Sequence, residues 1–349
     1  MSDAPRPTIA DVARRAGVSK GLVSFALNDR PGVSPDSRER ILEAARELGW
    51  TPSLRGRSLS TGRSFACGLV IGRSPDVIAA DPFFHSFIAG LEDVFSTSGQ
   101  ILVLAAATPG RHETETYRGL ASDRRVDGFV ITDLRADDER IALVESLRLT
   151  AVTLGHPDIE SPFSSVSVED GAGIRSAVAH LAELGHRRIA HVAGPQTMLH
   201  ARRRADAFTQ AAAAASVEHV VVTTDFSAAE GAEATRTLLA SDEPPTAIVY
   251  SNDHMAMAGL GVAQRLGIRV PLDLSITGFD DTELGRHLHP ALTSVATDAR
   301  EWGTVTARTL LDALAGADPI HVELSEPALI VRESTGPAPH PHPRGGSRD

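Results

Sequence analysis

Apolar side chains recur at helical spacing in three short segments near the start of the chain, residues 9–16, 22–27 and 41–48. Apolar residues at positions i, i+3, i+4 and i+7 form one hydrophobic stripe along a helix. The pattern therefore predicts three short amphipathic helices. The inward residues of the third are predicted to be Ile41, Leu42, Ala45 and Leu48.

Capping residues mark the ends of these helices. Thr8 and Asp11 have the spacing of a capping box, and Gly17 suits the left-handed position that ends a helix. Ser19 and Ser34 are predicted N-caps of the second and third helices, and a proline follows Ser34 at the first helical position. Three short helices with a glycine-containing turn between the first two are typical of a helix-turn-helix DNA-binding head.

A second pattern begins at Cys67, where strand-like apolar runs alternate with helical stretches. The runs are CGLVIG, ILVLAAA, GFVIT, AVTLG, RIAHVAG, HVVVTT, AIVYSN and SITGFDD. Spacings of about 25–30 residues are typical of βαβ units and predict doubly wound, mostly parallel sheets. The runs fall into two groups divided near residues 161–163, which predicts two α/β lobes with a ligand cleft at the carboxyl ends of the strands.

Charge is distributed unevenly along the 349 residues. The formal net charge is −11, but the first 64 residues hold 11 basic and 7 acidic side chains, against 23 and 38 in the rest. A locally positive head can bind DNA phosphates on an acidic chain, because salt screens exposed charges beyond about 8 Å. The charge distribution is therefore compatible with a DNA-binding head.

Targeting segments and cysteine content indicate where the protein is located and which kinds of site it can hold. The sequence has no secretory signal and no run of about 18 apolar residues, so we expect a cytoplasmic protein that does not span a membrane. The single cysteine, Cys67, excludes an internal disulfide framework and a thiolate metal cluster.

Enzyme motifs are incomplete in this sequence. Two glycine pairs begin like a dinucleotide-binding loop, but Ser176 and Gln264 stand where the third glycine belongs. No P-loop, nucleophile elbow or zinc-protease motif occurs. We therefore expect no catalysis, no cofactor and no metal, and we interpret His340 and His342 as part of a solvated tail.

Polar positions of the head supply the candidate DNA contacts. On the second helix, Lys20 can reach guanine and Phe25 can contact a thymine methyl group, whereas Gly21 offers only its backbone. Side chains near helix ends suit phosphate contacts, which fix the position of a protein on DNA without specifying sequence. The candidate contacts in the head are Thr8, Ser19, Lys20, Gly21, Ser24, Phe25, Asn28, Ser34 and Arg38.

Residues 8–59 resemble the DNA-binding head and hinge of the LacI/GalR family of bacterial repressors. The resemblance implies a hinge helix that folds on operator DNA and an apolar side chain, here Leu59, that wedges into the minor groove. Gly56 stands where the family usually has alanine, which predicts a hinge that is looser or more dependent on DNA, because glycine costs about 1 kcal/mol of helix propensity. The implied hinge contacts are Ser53, Arg55, Gly56, Arg57 and Leu59.

The resemblance extends through the body to about residue 334. It rests on the motifs DPFF, VDGFV, LGHRRIAHVAGP, SNDHMAMAGL, RLGIRVPLDLSITGFDD and HPALTSV. It implies a core that is similar to periplasmic sugar-binding proteins and that pairs into dimers. The expected domains are a head (1–51), a hinge (52–64), an N-terminal lobe (65–162 plus 293–322), a C-terminal lobe (163–292 plus 323–335) and a disordered tail (336–349).

Residues at predicted strand ends supply the candidate effector site. Aromatic faces beside Arg and Asp suit a sugar, whose C–H face stacks on rings while charged groups bond its hydroxyls. The resemblance places Arg204, Asn252 and Asp280 at positions that hold the effector, and Phe226 at an aromatic platform. His156 matches a more variable pocket position, beside Gly155 where relatives often carry an acid. The full candidate set is Phe83, Phe84, His156, Arg204, Phe226, Asn252 and Asp280.

Some of these candidates have plainer interpretations. Phe83 and Phe84 could be ordinary core residues, and Asp253 and Asp281 could cap helices. The remaining candidates for the rim of the cleft are His85 and His200.

Together these features predict a ligand-responsive transcriptional regulator, a repressor of carbohydrate-utilisation genes whose sugar effector changes operator affinity through the hinge. A homodimer is expected to bind a pseudo-palindromic operator, and the absence of an apolar heptad tail favours a dimer over a tetramer. A nucleobase, a nucleoside or a protein partner remain alternative effectors. A sugar transport protein is disfavoured, because it needs a secretory signal and no helix-turn-helix.

Overall fold

The computed structural model describes residues 7–27, 31–50, 58, 61–108 and 110–339. The chain divides into two compact units, Met1–Phe65 and Ala66–Asp349. They are the head and the core of the protein.

The head contains three helices, as the sequence predicts. They are α1 (Ile9–Ala16), α2 (Lys20–Leu27) and α3 (Pro35–Glu47). Val12, Val23 and Ile41, one from each helix, are fully buried and form the centre of its small core. The prediction for Leu42 is wrong: this side chain is 42% exposed, because it lies about 100° around the helix from the buried stripe that begins at Ile41.

The predicted caps are present. The Asp11 carboxylate accepts hydrogen bonds from the backbone N–H and hydroxyl of Thr8, at 2.9 and 2.7 Å. Gly17 has φ of 68°, which glycine adopts without strain. The hydroxyl oxygens of Ser19 and Ser34 each accept the backbone N–H three residues further on. The local sequence therefore accounts for where each of these helices begins or ends.

The core alternates strands and helices along the chain. Its first half contains β1 (Ala66–Ile71), α4 (Pro75–Ala80), α5 (Pro82–Phe95), β2 (Ile101–Ala106), α6 (Arg111–Ser122), β3 (Gly128–Ile131), α7 (Glu139–Ser146), β4 (Thr150–Leu154), β5 (Ser164–Ser167) and α8 (Asp170–Glu183). It continues with β6 (Arg188–Ala193), α9 (Leu199–Ala214), β7 (Glu218–Thr223), α10 (Ala228–Leu239), β8 (Ala247–Tyr250), α11 (Asp253–Arg265), β9 (Ser275–Asp280), α12 (Glu283–Arg286), β10 (Thr293–Ala296), α13 (Ala299–Leu314), β11 (His321–Glu323) and β12 (Ala328–Ile330).

Two six-stranded sheets form the two predicted lobes. The N-terminal lobe has the strand order β11-β5-β4-β3-β1-β2, with every pair parallel. The C-terminal lobe has the order β12-β10-β9-β8-β6-β7, in which only the pair of β10 and β12 is antiparallel. In both sheets the order reverses beside the first strand of the lobe, β1 or β6. Ligands of open α/β sheets bind where such a reversal leaves a crevice.

The structure corrects the expected lobe boundaries. The strand β5, at residues 164–167, belongs to the N-terminal sheet, and β10, at residues 293–296, belongs to the C-terminal sheet. Each of these two strands completes the sheet of one lobe before the chain continues into the other. The chain therefore passes between the lobes a few residues later than expected.

The beginning of the expected disordered tail is packed on the C-terminal lobe. The Gly336 N–H donates to the Ser275 hydroxyl at 3.1 Å, and the Ala338 N–H donates to the Leu184 carbonyl at 2.9 Å. The buried His186 ring also bonds the Gly336 carbonyl. These bonds hold a segment whose composition alone suggests disorder; residues 340–349, including His340 and His342, lie outside the described part.

Candidate functional site

A pocket lies between the two lobes at the carboxyl ends of their strands. Its empty volume is about 690 Å³, including the space open to solvent. On one side of it the lobes touch directly: the Leu199 N–H donates to the Leu134 carbonyl at 2.8 Å, and Arg135 forms a β-bridge with Met198. Because both lobes line the pocket, a bound molecule would contact both at once.

The structure brings most of the candidate effector residues together. Five of the seven line the pocket: Phe83, Arg204, Phe226, Asn252 and Asp280. Phe84 does not, because it is fully buried in the N-terminal core. His156 does not either: it is exposed and lies against the His321 ring, with a centroid distance of 5.0 Å, while Gly155 beside it lines the pocket. Those two expectations are wrong about position.

Arg204 is a buried cation whose two terminal nitrogens both have protein partners. It lies in α9 and is 6% exposed. Its two terminal nitrogens donate to the Ser251 carbonyl at 2.9 Å and to the Asp170 carboxylate at 3.0 Å. The guanidinium carbon lies 3.7 Å from the Phe279 ring centroid, which covers one face. Its Nε–H is buried without a protein partner among the described residues.

Asn252 lines the pocket and also has the capping role that was considered for Asp253. Asn252 is the N-cap of α11, because its side-chain oxygen accepts the Met255 N–H at 2.8 Å. Its amide nitrogen donates to the Phe226 carbonyl at 3.1 Å, which supports the neighbouring aromatic residue. Asp253 is not a cap: its carboxylate accepts bonds from Thr282 and Ser294. Burial raises the pKa of Asp253 to about 6, against the lowering effect of those bonds.

Asp281 is not a cap either. Its carboxylate forms ion pairs with Arg286 at 2.9 Å and with Arg332 at 2.6 Å.

Phe226 forms the predicted aromatic wall, but in a crowded setting. It is 4% exposed and has φ of 71°. The His200 ring lies parallel to it at a centroid distance of 5.5 Å, and the Arg73 guanidinium lies 5.0 Å from its centroid. Gly194 makes room for this ring, since a Cβ there would lie 2.0 Å from its tip. His200, a candidate for the rim, therefore lines the pocket itself.

Asp280 ends β9 with its carboxyl group facing the pocket region and with φ of 105°. Burial raises the pKa of this carboxyl well above its usual range, and the Arg204 charge offsets only part of that effect. No hydrogen bond to the carboxylate is found among the described residues. A half-buried carboxyl group with a raised pKa and no protein partner among the described residues is a frequent mark of a binding site.

A charged group on the N-terminal lobe was missed by the sequence analysis. Arg73, just after β1, donates two hydrogen bonds to Asp133 at 2.7 and 2.6 Å and a third to Asp81 at 3.2 Å. Burial raises the pKa of Asp133, but the charge and hydrogen bonds of Arg73, with smaller effects of His200 and Arg140, together lower the pKa to about 2. Buried Arg140 donates to the Asp133 carbonyl at 3.0 Å and so holds that loop in place. Both Arg73 and Asp133 follow strands, so the strand-end rule that identifies Asp280 could have found them.

Other residues that line the pocket were not marked by any clear pattern in the sequence. Trp302 and Thr132 both line the pocket, and the Trp302 ring meets the Phe83 ring edge-on at 5.8 Å. His85, the second rim candidate, lines a separate outer groove that shares Phe83 and Asp280 with the pocket.

The candidate DNA contacts that the structure describes lie at the surface of the head. Lys20 and Gly21 on α2 are exposed, Ser24 is half-buried and Phe25 is 42% exposed, which is unusual for an aromatic side chain. The positions around helix ends are also accessible: Thr8, Ser19 and Ser34 are exposed and Arg38 is half-buried. The remaining candidates lie outside the described residues: Asn28, Ser53, Arg55, Gly56, Arg57 and Leu59.

Within the described residues, no helix has the length and apolar character needed to cross a membrane.

The head and the core each match a known protein family. Residues 8–53 match the bacterial regulatory proteins of the lacI family, and residues 178–335 match a periplasmic binding protein-like domain. The chain is 34% identical to the HTH-type transcriptional regulator CelR of Thermobifida fusca over 336 residues, which is 94% of this chain and 98% of that protein.

Solved structures give the same result. A complex of the transcriptional regulator CelR with cellobiose has a TM-score of 0.72 and 33% identity, and the match covers 94% of this chain and all of that one. A Lac repressor dimer bound to operator and the anti-inducer ONPF has a TM-score of 0.81 and 26% identity, covering 95% of this chain and all of that one. The head, the two-lobed core and these similarities together show that the chain belongs to the LacI family and is a DNA-binding transcriptional regulator.

Proposed function

We propose that this regulator is a carbohydrate-responsive repressor that binds its operator as a homodimer and changes operator affinity when a sugar occupies the pocket between the lobes. The observation that carries the proposal is the position of the pocket, which is lined by both lobes. A ligand held by both lobes favours one lobe arrangement over another, and such a preference is what an allosteric effector requires.

The lining supports a carbohydrate as the effector class. Phe83, Trp302 and Phe226 provide apolar ring surface, and Asp280 and Arg204 provide polar groups beside it. This combination suits a ring with a C–H face and hydroxyls at its edge. A relative of known structure is described with cellobiose bound, so cellobiose is the first ligand to test.

The DNA-binding proposal assigns the exposed face of α2 to the major groove and the hinge to the minor groove. A two-fold dimer would place two such heads on half-sites related by symmetry. Effector couplings in allosteric proteins are about 1–3 kcal/mol, or roughly 5- to 150-fold in affinity. We propose that the chain acts through binding alone, in the cytoplasm, without catalysis.

Thermal unfolding in the presence of candidate ligands tests the effector class. Cellobiose and other saccharides are compared with purine and pyrimidine nucleosides, because a ligand at 100 times its dissociation constant adds about 2.7 kcal/mol to stability. Stabilisation by a saccharide is the expected result. Stabilisation by a nucleoside alone would indicate that the effector is a nucleoside and not a sugar. If no small molecule stabilises the protein, a protein partner is favoured as the effector.

A further inference from the structure

We propose that the pocket between the lobes selects uncharged, hydroxyl-rich ligands and rejects anionic ones such as sugar phosphates and uronates. This inference rests on the proposed function, because it concerns the charge of the effector at that same site. It goes further by excluding a large part of the carbohydrate class. It follows from how the charged residues of the pocket are already paired.

The cation of the N-terminal lobe is neutralised by protein carboxylates. The Arg73 side chain, 9% exposed, makes two short bonds to Asp133 and one to Asp81. Its guanidinium also lies near the rings of Phe84 and Phe226, at 5.1 and 5.0 Å from their centroids. Binding of a phosphate by arginine needs a guanidinium fork with free donors. Here the Nε and Nη2 donors of the Arg73 fork already bond the Asp133 carboxylate.

The cation of the C-terminal lobe is neutralised in the same way. Arg204 pairs with Asp170, and its other terminal nitrogen donates to the Ser251 carbonyl. The Nε–H has no protein partner among the described residues, and one face of the guanidinium is covered by Phe279. The positive charge is already paired with the Asp170 carboxylate at 3.0 Å. An anionic ligand would have to compete with Asp170 for this cation, whereas a neutral oxygen acceptor would not.

The balance of charge around the pocket is acidic. Among the described lining residues four aspartates face two arginines: Asp81, Asp133, Asp170 and Asp280 against Arg73 and Arg204. His200 adds no positive charge at neutral pH, because burial and the Arg204 charge lower its pKa to about 3. Even with Asp280 protonated, three carboxylates face two guanidinium groups. An anion entering this pocket would lose its hydration and gain no free cation.

The polar atoms that remain unpaired suit hydroxyl groups. The Thr132 hydroxyl, on the N-terminal lobe, is 2% exposed and has no partner among the described residues. On the C-terminal lobe the Arg204 Nε–H is also buried without a partner among the described residues, and the half-buried Asp280 lines the pocket. A sugar hydroxyl both donates and accepts, so it can satisfy a donor, an acceptor or a hydroxyl. Because these groups lie on both lobes, one ligand can bond to both and so hold the lobes together.

Matched neutral and anionic ligands test the inference. Titration calorimetry on the full chain at pH 7.5 compares cellobiose and glucose with glucose 6-phosphate and glucuronate. We expect the anionic forms to bind at least about tenfold more weakly than the neutral sugars, because a charge that leaves water without gaining a free cation binds unfavourably. Equal or tighter binding of an anionic form would overturn the inference and leave a carbohydrate effector standing. Binding of none of these sugars, and of no other saccharide, would instead overturn the proposed function and this inference with it.

Variants that free the arginine test the cause. Asp133→Asn removes the charge that occupies Arg73, so the ratio of neutral to anionic affinity should fall at least about tenfold. Asp81→Asn serves the same purpose if Asp133→Asn does not fold, since asparagine can still cap α5 as Asp81 does. Asp93→Asn is the matched control, because Asp93 is an exposed partner of Arg300 outside the pocket. A ratio that is the same in the pocket variants as in the control would overturn the assignment.

Discussion

Replacing Asp280 with asparagine should stabilise the ligand-free protein and weaken its response to the effector. The substitution keeps the shape of the side chain and removes the charge. Leaving a buried polar group without a partner costs about 1–3 kcal/mol. No partner of the Asp280 carboxylate is found among the described residues, so we expect Asp280→Asn to raise the free energy of unfolding at pH 7.5 by on the order of 1 kcal/mol.

The pH dependence of this gain follows from the direction of the pKa shift. The pKa of Asp280 in the folded protein is raised above the ordinary value of 3.8. Below that value folded and unfolded chains are both protonated, so the penalty for ionisation is absent; it grows as the pH rises above 3.8. The gain from Asp280→Asn should therefore be largest near neutral pH and shrink as the pH falls toward 4. Urea denaturation of both proteins across this range measures it.

Effector binding should change in the opposite direction. A hydrogen bond to a charged group contributes about 1.5–3 kcal/mol, so its loss should weaken sugar binding by about 10- to 150-fold. The control is Asp93→Asn, which should bind sugar normally and gain no stability, since Asp93 is paired with Arg300. If Asp280→Asn lowers the free energy of unfolding at pH 7.5, or binds sugar as well as the original chain, the reasoning about this carboxylate is refuted.

Three further variants probe the aromatic wall, a buried histidine and the hinge. Gly194→Ala should displace the Phe226 ring, lower stability by about 1–3 kcal/mol and weaken sugar binding, whereas Gly119→Ala, with nothing within 4 Å of the added Cβ, should do neither. Burial lowers the pKa of His191 to about 4, so its stabilising effect is complete above pH 6.5 and is lost as the pH falls toward 4. Denaturation of His191→Gln should consequently show a shallower loss of stability in that range, by on the order of 1 kcal/mol per pH unit; an unchanged slope would contradict a neutral buried ring. Leu59→Ala should weaken operator binding in a mobility-shift titration while the unfolding of the core stays the same, and normal operator affinity would exclude the wedge.

The strands that carry clear apolar runs could be predicted from the sequence, and the polar strands β5 and β11 could not. Each of the eight predicted runs is a strand, because each carries apolar residues, many of them β-branched or aromatic, between turn-forming ones. The strands β5 and β11 have three or four residues, and the SSVS sequence of β5 is mostly polar. Such strands are stabilised by a neighbour distant in sequence. The lobe boundaries, which depend on them, were therefore misplaced.

The sequence could predict which strand ends lie at the pocket. It could not predict which of two neighbouring side chains lines it. The rule that ligands bind at the carboxyl ends of parallel strands selected Asn252 and Asp280, and both line the pocket. It could not separate neighbours: Phe83 and Phe84 point about 100° apart on α5, so only one lines the pocket. The pairing of Arg73 with Asp133 joins side chains 60 positions apart, and only the folded structure brings it out.

Titration of operator DNA with and without sugar tests the central claim most directly. A pseudo-palindromic operator selected from random duplexes is titrated with the full-length protein at fixed salt, because phosphate contacts make DNA affinity depend strongly on ionic strength. The account predicts that a neutral saccharide that stabilises the protein changes operator affinity by roughly 5- to 150-fold. An operator affinity that is identical with and without every saccharide that binds the core would contradict it.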